Sequence, residues 1–170
     1  MKIVKMLKLA DFFTLLNITS GFLSIYFALQ NNIAFAMLFL IVAVLFDVID
    51  GTVARFFKSE NEFGKQLDSL SDVISFGLAP AIIGLIFFSQ QWYGIIIFII
   101  FILSGALRLA RFNVSKTAGY EGIPITINGI IIPIFYYLFD FFQLNQELML
   151  IIYGLMAILM ISSFKIKKLF

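Results

Sequence analysis

The stretch DVIDGTVARFFKSENEFGKQLDSLSD, Asp47 to Asp72, sets four aspartates and an arginine between two of the most apolar segments of the chain. Charge of that density is costly beside membrane-length apolar sequence, so it calls for a function. A helix advances about 100 degrees per residue, and spacings of three and four return to one face. Asp47, Asp50, Gly51 and Ala54 therefore share one helix face, and Gly64, Asp68 and Asp72 share a face on the helix that follows. A turn between the two helices would make the four carboxylates converge. The small residues Gly51, Ala54 and Gly64 leave room beside them for a ligand to come close to the backbone.

The surroundings of this stretch decide the fold class. Of 170 residues, 62% are hydrophobic and 13% charged, well outside the globular norm. A helix crosses a bilayer with about 17 to 25 residues. Apolar runs at roughly 11–30, 32–54, 66–88, 91–112, 123–142 and 146–164 predict six transmembrane helices with short connections. The runs are continuous and do not alternate, which argues against a β-barrel. The expected architecture is an all-α polytopic membrane protein, one domain over residues 1–170, with a short interfacial helix in the basic opening MKIVKMLKLA. No small-residue cleavage site follows that opening, so it does not read as a signal peptide.

Cysteine and histidine are both absent. That removes disulfides, thiolate nucleophiles, imidazole bases and most zinc sites. Carboxylate is what remains for metal or proton chemistry. The twelve Lys and Arg residues cluster at the N-terminus, in the second-to-third and fourth-to-fifth connections, and at the C-terminus. By the positive-inside rule both termini and the Asp47–Asp72 connection face the cytoplasm of a multi-pass cell-membrane protein. No feature points to a nucleic-acid partner.

Four carboxylates gathered at a membrane face repel one another and are costly to desolvate. A cation must join them. Oxygen-only donors suit hard divalent ions, Mg2+ or Mn2+, and two such ions would suit phosphoryl transfer. An acidic cluster between helices can equally line a cation path in a transporter, and spacing alone leaves both readings open. Arg55 and the glycines favour the first, because a cation path has little use for a guanidinium beside its carboxylates. Lys58, Glu60, Glu62 and Lys65 read as a solvated turn without a role.

These residues resemble a known pattern. Asp47, Asp50, Gly51, Ala54, Arg55, Gly64, Asp68 and Asp72 fill every fixed position of DxxDGxxARx8Gx3Dx3D, the signature of the CDP-alcohol phosphatidyltransferase family. The resemblance implies a six-helix membrane core, generally a homodimer, in which metal-held CDP-lipid is attacked by an alcohol and CMP leaves. It implies that Asp47, Asp50, Asp68 and Asp72 ligate two divalent ions, Mg2+ or Mn2+, and that Asp72 is the catalytic base. Asp50, Gly51, Ala54, Arg55 and Gly64 take the CDP-binding positions. The stretches LDSLSDVISFGLAPA (Leu67–Ala81), GALRLARFNV (Gly105–Val114) and EGIPI (Glu121–Ile125) resemble the phosphatidylserine synthase branch. So does TLLNITSG, with Thr14, Asn17 and Gly21.

That branch implies CDP-diacylglycerol or CDP-archaeol as donor and L-serine as acceptor, with inositol phosphate or glycerol phosphate as the alternatives. Thr14 and Asn17, on one face of the first span, would then contact the nucleotide, although polar groups there also simply bond between helices. Arg108 and Arg111, three residues apart at the cytoplasmic end of the fourth span, either snorkel to headgroups or hold the serine carboxylate or a lipid phosphate. Ala10 and Asp11 stand where the family often has Pro-Asn, and members of the serine branch are often longer.

Overall fold

A computed structural model describes residues 6–114, 120–163 and 165–166. Helix α1, Leu9–Leu29, starts where the Asp11 carboxylate accepts a 2.7 Å bond from the Lys8 amide, placing an anion at the positive end of the helix dipole. Three residues later than its end, Asn32 caps α2, Ile33–Phe56, by accepting from the Phe35 amide at 3.2 Å. Asn61 does the same for α3, Glu62–Asp72, through the Gly64 amide at 2.8 Å. Such side chains satisfy amide groups that a helix start leaves without partners.

After Asp72 the helix does not stop but widens into a π segment, Val73–Leu78, and continues as α4, Ala79–Phe87. Pro80 follows directly on the π segment inside this continuous helix and has no N–H to give to the turn before it. Helix α5 is Trp92–Val114. Short 3-10 turns, Ile125–Ile127 and Gln146–Leu148, lead into α6, Asn128–Phe141, and α7, Met149–Ile161. A two-residue antiparallel pairing of β1, Tyr120–Glu121, with β2, Lys165–Ile166, is the one strand pairing among the described residues.

Four helices, Leu9–Leu29, Ile33–Phe56, Glu62–Phe87 and Trp92–Val114, are long and apolar enough to cross a membrane. The two remaining apolar helices, Ile125–Phe141 and Gln146–Ile161, are shorter. At about 1.5 Å per residue they reach roughly 25 Å, less than a hydrocarbon core of about 30 Å. Of the six expected spans, four fall on helices of membrane-crossing length and two on helices shorter than that. The interfacial helix expected in MKIVKMLKLA falls mostly on residues 1–5, outside the described residues.

Helix α1 lies along α2, and these two make the most extensive helix pair. Buried Ala28, Ala36 and Ala43 let the backbones come close, as small residues do in membrane helix pairs, and Ser24 Oγ donates to the Ala36 carbonyl at 2.8 Å. On the far side α5 packs on α7 around Tyr153, which is fully buried. Its ring meets those of Phe98 and Phe101, each at 5.0 Å between centroids, and its hydroxyl donates to the Pro80 carbonyl at 2.6 Å. Phe22, Trp92 and Phe141 point outward and stay exposed.

Candidate active site

The last turns of α2 carry Asp47 and Asp50, and α3 carries Asp68 and Asp72, so the expected convergence occurs. One carboxylate oxygen each from Asp47, Asp50 and Asp68 lies within 4.8 Å of the others. Asp72 is within hydrogen-bonding reach of Asp47 and only 5% exposed, and its Oδ1 is buried without a partner. Thr14 of α1 donates from Oγ1 to Asp50 Oδ2 at 2.8 Å. Thr126, in the 3-10 turn before α6, reaches Asp47. The sequence offered no sign of Thr126, since only the tertiary path of a distant turn puts it there.

Helix α1 sets the spacing of the two carboxylate pairs. The Thr14 hydroxyl holds Asp50 of α2, while its carbonyl accepts from Ser71 Oγ at 3.3 Å, next to Asp72. One turn on, Ser75 Oγ donates to the Asn17 carbonyl at 3.0 Å. Ser75 lies in the π segment, a distortion that recurs at functional sites. Gly21 is needed at the crossing because a Cβ there would run into the Ser75 side chain and backbone. From the other side Asn128 Nδ2 donates to the Phe76 carbonyl at 3.1 Å. The register that carries Asp68 and Asp72 is therefore tied on two flanks.

Beside the carboxylates opens a cavity of about 580 Å³, bordered by Thr14, Asp50, Gly51, Ala54, Gly64 and Asp68. That size falls within the usual range for small-ligand sites. Asp47 and Asp72 lie behind this wall, not on it. Ala10, Asp11, Lys65, Phe112 and the turn from Ser59 to Glu62 complete the border, so Glu60, Glu62 and Lys65, read from sequence as a solvated turn, belong to the cavity. Gly64 lets α3 approach α1: a Cβ there would sit 2.8 Å from Asp11 Oδ1. Arg55 is exposed, its Nη1 4.0 Å from where a Gly51 Cβ would be.

Besides Asp47, Asp72 and Arg55, three further expected site residues lie off the cavity wall. Asn17 is wholly buried, and neither polar atom of its side chain has a partner among the described residues. Arg108 is buried with its guanidinium 5.4 Å from the centre of the Phe112 ring. Arg111 donates to the carbonyls of Ile161 at 3.0 Å, Met160 at 3.4 Å and Ser162 at 3.1 Å. It thereby places a cation on the negative end of α7.

The donor set fits a divalent cation. All the ligands available are carboxylate oxygens, three are already within 4.8 Å of each other, and the partnerless Oδ1 of Asp72 is the kind of buried acceptor that a cation satisfies. Without one, the mutual repulsion of these groups would go uncompensated.

Membrane-length helices thus carry an acidic cluster, fit to hold a divalent cation, that opens on a ligand-sized cavity. The chain belongs to the CDP-alcohol phosphatidyltransferase family, whose family model matches residues 7–163. It is 39% identical over 164 residues to the CDP-diacylglycerol–serine O-phosphatidyltransferase of Methanocaldococcus jannaschii, covering 96% of this chain and 76% of that protein. It is also 39% identical over 171 residues to the archaetidylserine synthase of Methanothermobacter thermautotrophicus, covering 95% and 70%. A CDP-diacylglycerol–serine O-phosphatidyltransferase of Helicobacter pylori is 32% identical over 165 residues, covering 91% and 70%.

Proposed function

We propose that the protein transfers the phosphatidyl or archaetidyl group of a CDP-linked lipid to the hydroxyl of L-serine and releases CMP. The observation that carries this reading is the meeting of Asp47, Asp50 and Asp68 within 4.8 Å at the edge of a cavity of about 580 Å³. Relatives named for serine transfer, 32% to 39% identical over most of the chain, support the acceptor.

Asp47, Asp50, Asp68 and Asp72 would hold two divalent ions, Mg2+ or Mn2+. Bound there, such ions would neutralise the diphosphate and stabilise charge on the leaving phosphate. Gly51, Ala54 and Gly64 keep the cavity open for the nucleotide, and Arg55, over Gly51, is placed to meet a phosphate at its mouth. Thr14 orients Asp50 through its hydroxyl. Asp72 takes the proton of the serine hydroxyl as that oxygen bonds to the lipid-side phosphorus, and the bond from phosphorus to the CMP oxygen breaks. The reading does not lean on Asn17, Arg108 or Arg111, which stand off the cavity wall.

In the bilayer this reading has six crossings, the two short helices included, with both termini and the site at the cytoplasmic face, and two copies paired as a homodimer. The test is to supply purified protein with Mn2+, CDP-diacylglycerol or CDP-archaeol, and each candidate alcohol in turn, and to follow CMP. Release with L-serine is expected. Release with inositol phosphate or glycerol phosphate but not with serine would reassign the acceptor, and cation flux without nucleotide dependence would remove the enzyme reading.

A further inference from the structure

Lys65 stands half-buried on the cavity wall, about one helical turn before Asp68. It is the one cation among the described residues of that wall, where Asp11, Asp50, Glu60, Glu62 and Asp68 carry the opposite charge. An ammonium among five carboxylates would ordinarily fold onto one of them. Lys65 instead lies with its Nζ 5.6 Å from the centre of the Phe112 ring and gives one long bond, 3.4 Å, to the Asn113 carbonyl. Asn113 is itself tied to α3, its Nδ2 donating to Ser69 Oγ at 2.9 Å. The aromatic face and the anchored carbonyl thus keep the ammonium away from the acids.

A lysine has three N–H donors, and among the described residues this one commits a single donor. Lys65 and the Phe112 ring beside its ammonium both border the cavity. Acidic side chains repel the anionic parts of a substrate, and a compact cation on the same wall, not paired with those acids, offers one oxyanion a favourable partner. We propose that Lys65 binds a substrate oxyanion, either the carboxylate of the alcohol acceptor or a phosphate oxygen of the nucleotide-lipid, and so helps determine which substrate the cavity accepts. This rests on the transfer proposed above.

The test uses the full chain in detergent, with Lys65→Met, which keeps an apolar stem on Phe112, and Lys65→Arg, which restores the charge. KM is measured separately for serine and for CDP-lipid, together with kcat, the affinity for CMP with Mn2+ by calorimetry, and Tm. A rise of about tenfold in one KM in Lys65→Met, about 1.4 kcal/mol, with kcat within about twofold and recovery in Lys65→Arg, supports the proposal. A change in the serine KM alone assigns the carboxylate, and matched losses for CDP-lipid and CMP assign the phosphate. Unchanged KM values, or equal changes in both with a lowered Tm, overturn it. If the unaltered protein released no CMP with serine, the transfer would fall by itself, and titrations with CMP and with L-serine, each with Mn2+, would still decide: weaker binding of either in Lys65→Met supports the oxyanion contact, and unchanged binding of both overturns it.

Discussion

At the scale of single residues, Asp72 and Thr14 show how much of a site lies in contacts no motif encodes. Asp72 is buried behind the cavity wall, beside Asp47. Replacing it with Asn keeps the shape but removes the base proposed above, so on that reading CMP release should fall by about 10² to 10⁴ while CDP-lipid still binds. Calorimetry beside a CMP assay separates the two, and surviving activity would withdraw the base assignment. Thr14 touches both carboxylate helices, with its hydroxyl on Asp50 and its carbonyl under Ser71. Thr14→Val should therefore raise the Mn2+ concentration needed for half-maximal activity about tenfold or more, because a hydrogen bond to a charged group is worth about 1.5–3 kcal/mol. Chelation should abolish CMP release, and added Mn2+ or Mg2+ should restore it.

At the scale of elements, the joint between α1 and the π segment is the part on which the site depends most. Ser71 and Ser75 donate into the backbone of α1, and Gly21 is in contact with Ser75 with no room for a side chain. Gly21→Ala should force the helices apart at a cost of about 1–3 kcal/mol, read as a lower Tm together with weaker Mn2+ binding. The last turn of α5 has a different task. Arg111 holds the carbonyls at the end of α7, so Arg111→Leu should lower Tm while the KM for serine stays within about twofold. A large rise in that KM with an unchanged Tm would instead place Arg111 in acceptor binding.

At the scale of the molecule, the distribution of charge and the order of the helices imply one functional face. The turn from Phe57 to Asn61 borders the cavity side, whereas the turn after α4 lies at the opposite end of a membrane-length helix. Because the chain lacks cysteine, single cysteines can report sidedness cleanly. In intact cells a membrane-impermeant maleimide should label Gln90→Cys, and should label Lys58→Cys only after permeabilisation. The reverse pattern would invert the topology. The interior is sensitive in a way the surface is not: Tyr153→Phe leaves the Pro80 carbonyl without its donor and should cost about 1–3 kcal/mol.

Much of this was legible in the linear chain because it depends on local periodicity. Long apolar runs require helices, three- and four-residue spacings set Asp47 with Asp50 and Asp68 with Asp72 on shared faces, and the lack of His and Cys left only carboxylate for metal. The full signature from Asp47 to Asp72 carried the resemblance to the family, because all its fixed positions lie in one continuous stretch. Contacts between distant segments were not legible, because no local preference encodes them. Packing alone brought Thr126 to Asp47, turned Lys65 from a solvated turn into the cavity wall, drew Arg111 onto the end of α7, and sank Asn17 beneath the site. Periodicity determines which face a side chain shares, but which neighbour meets that face depends on how helices far apart in sequence cross.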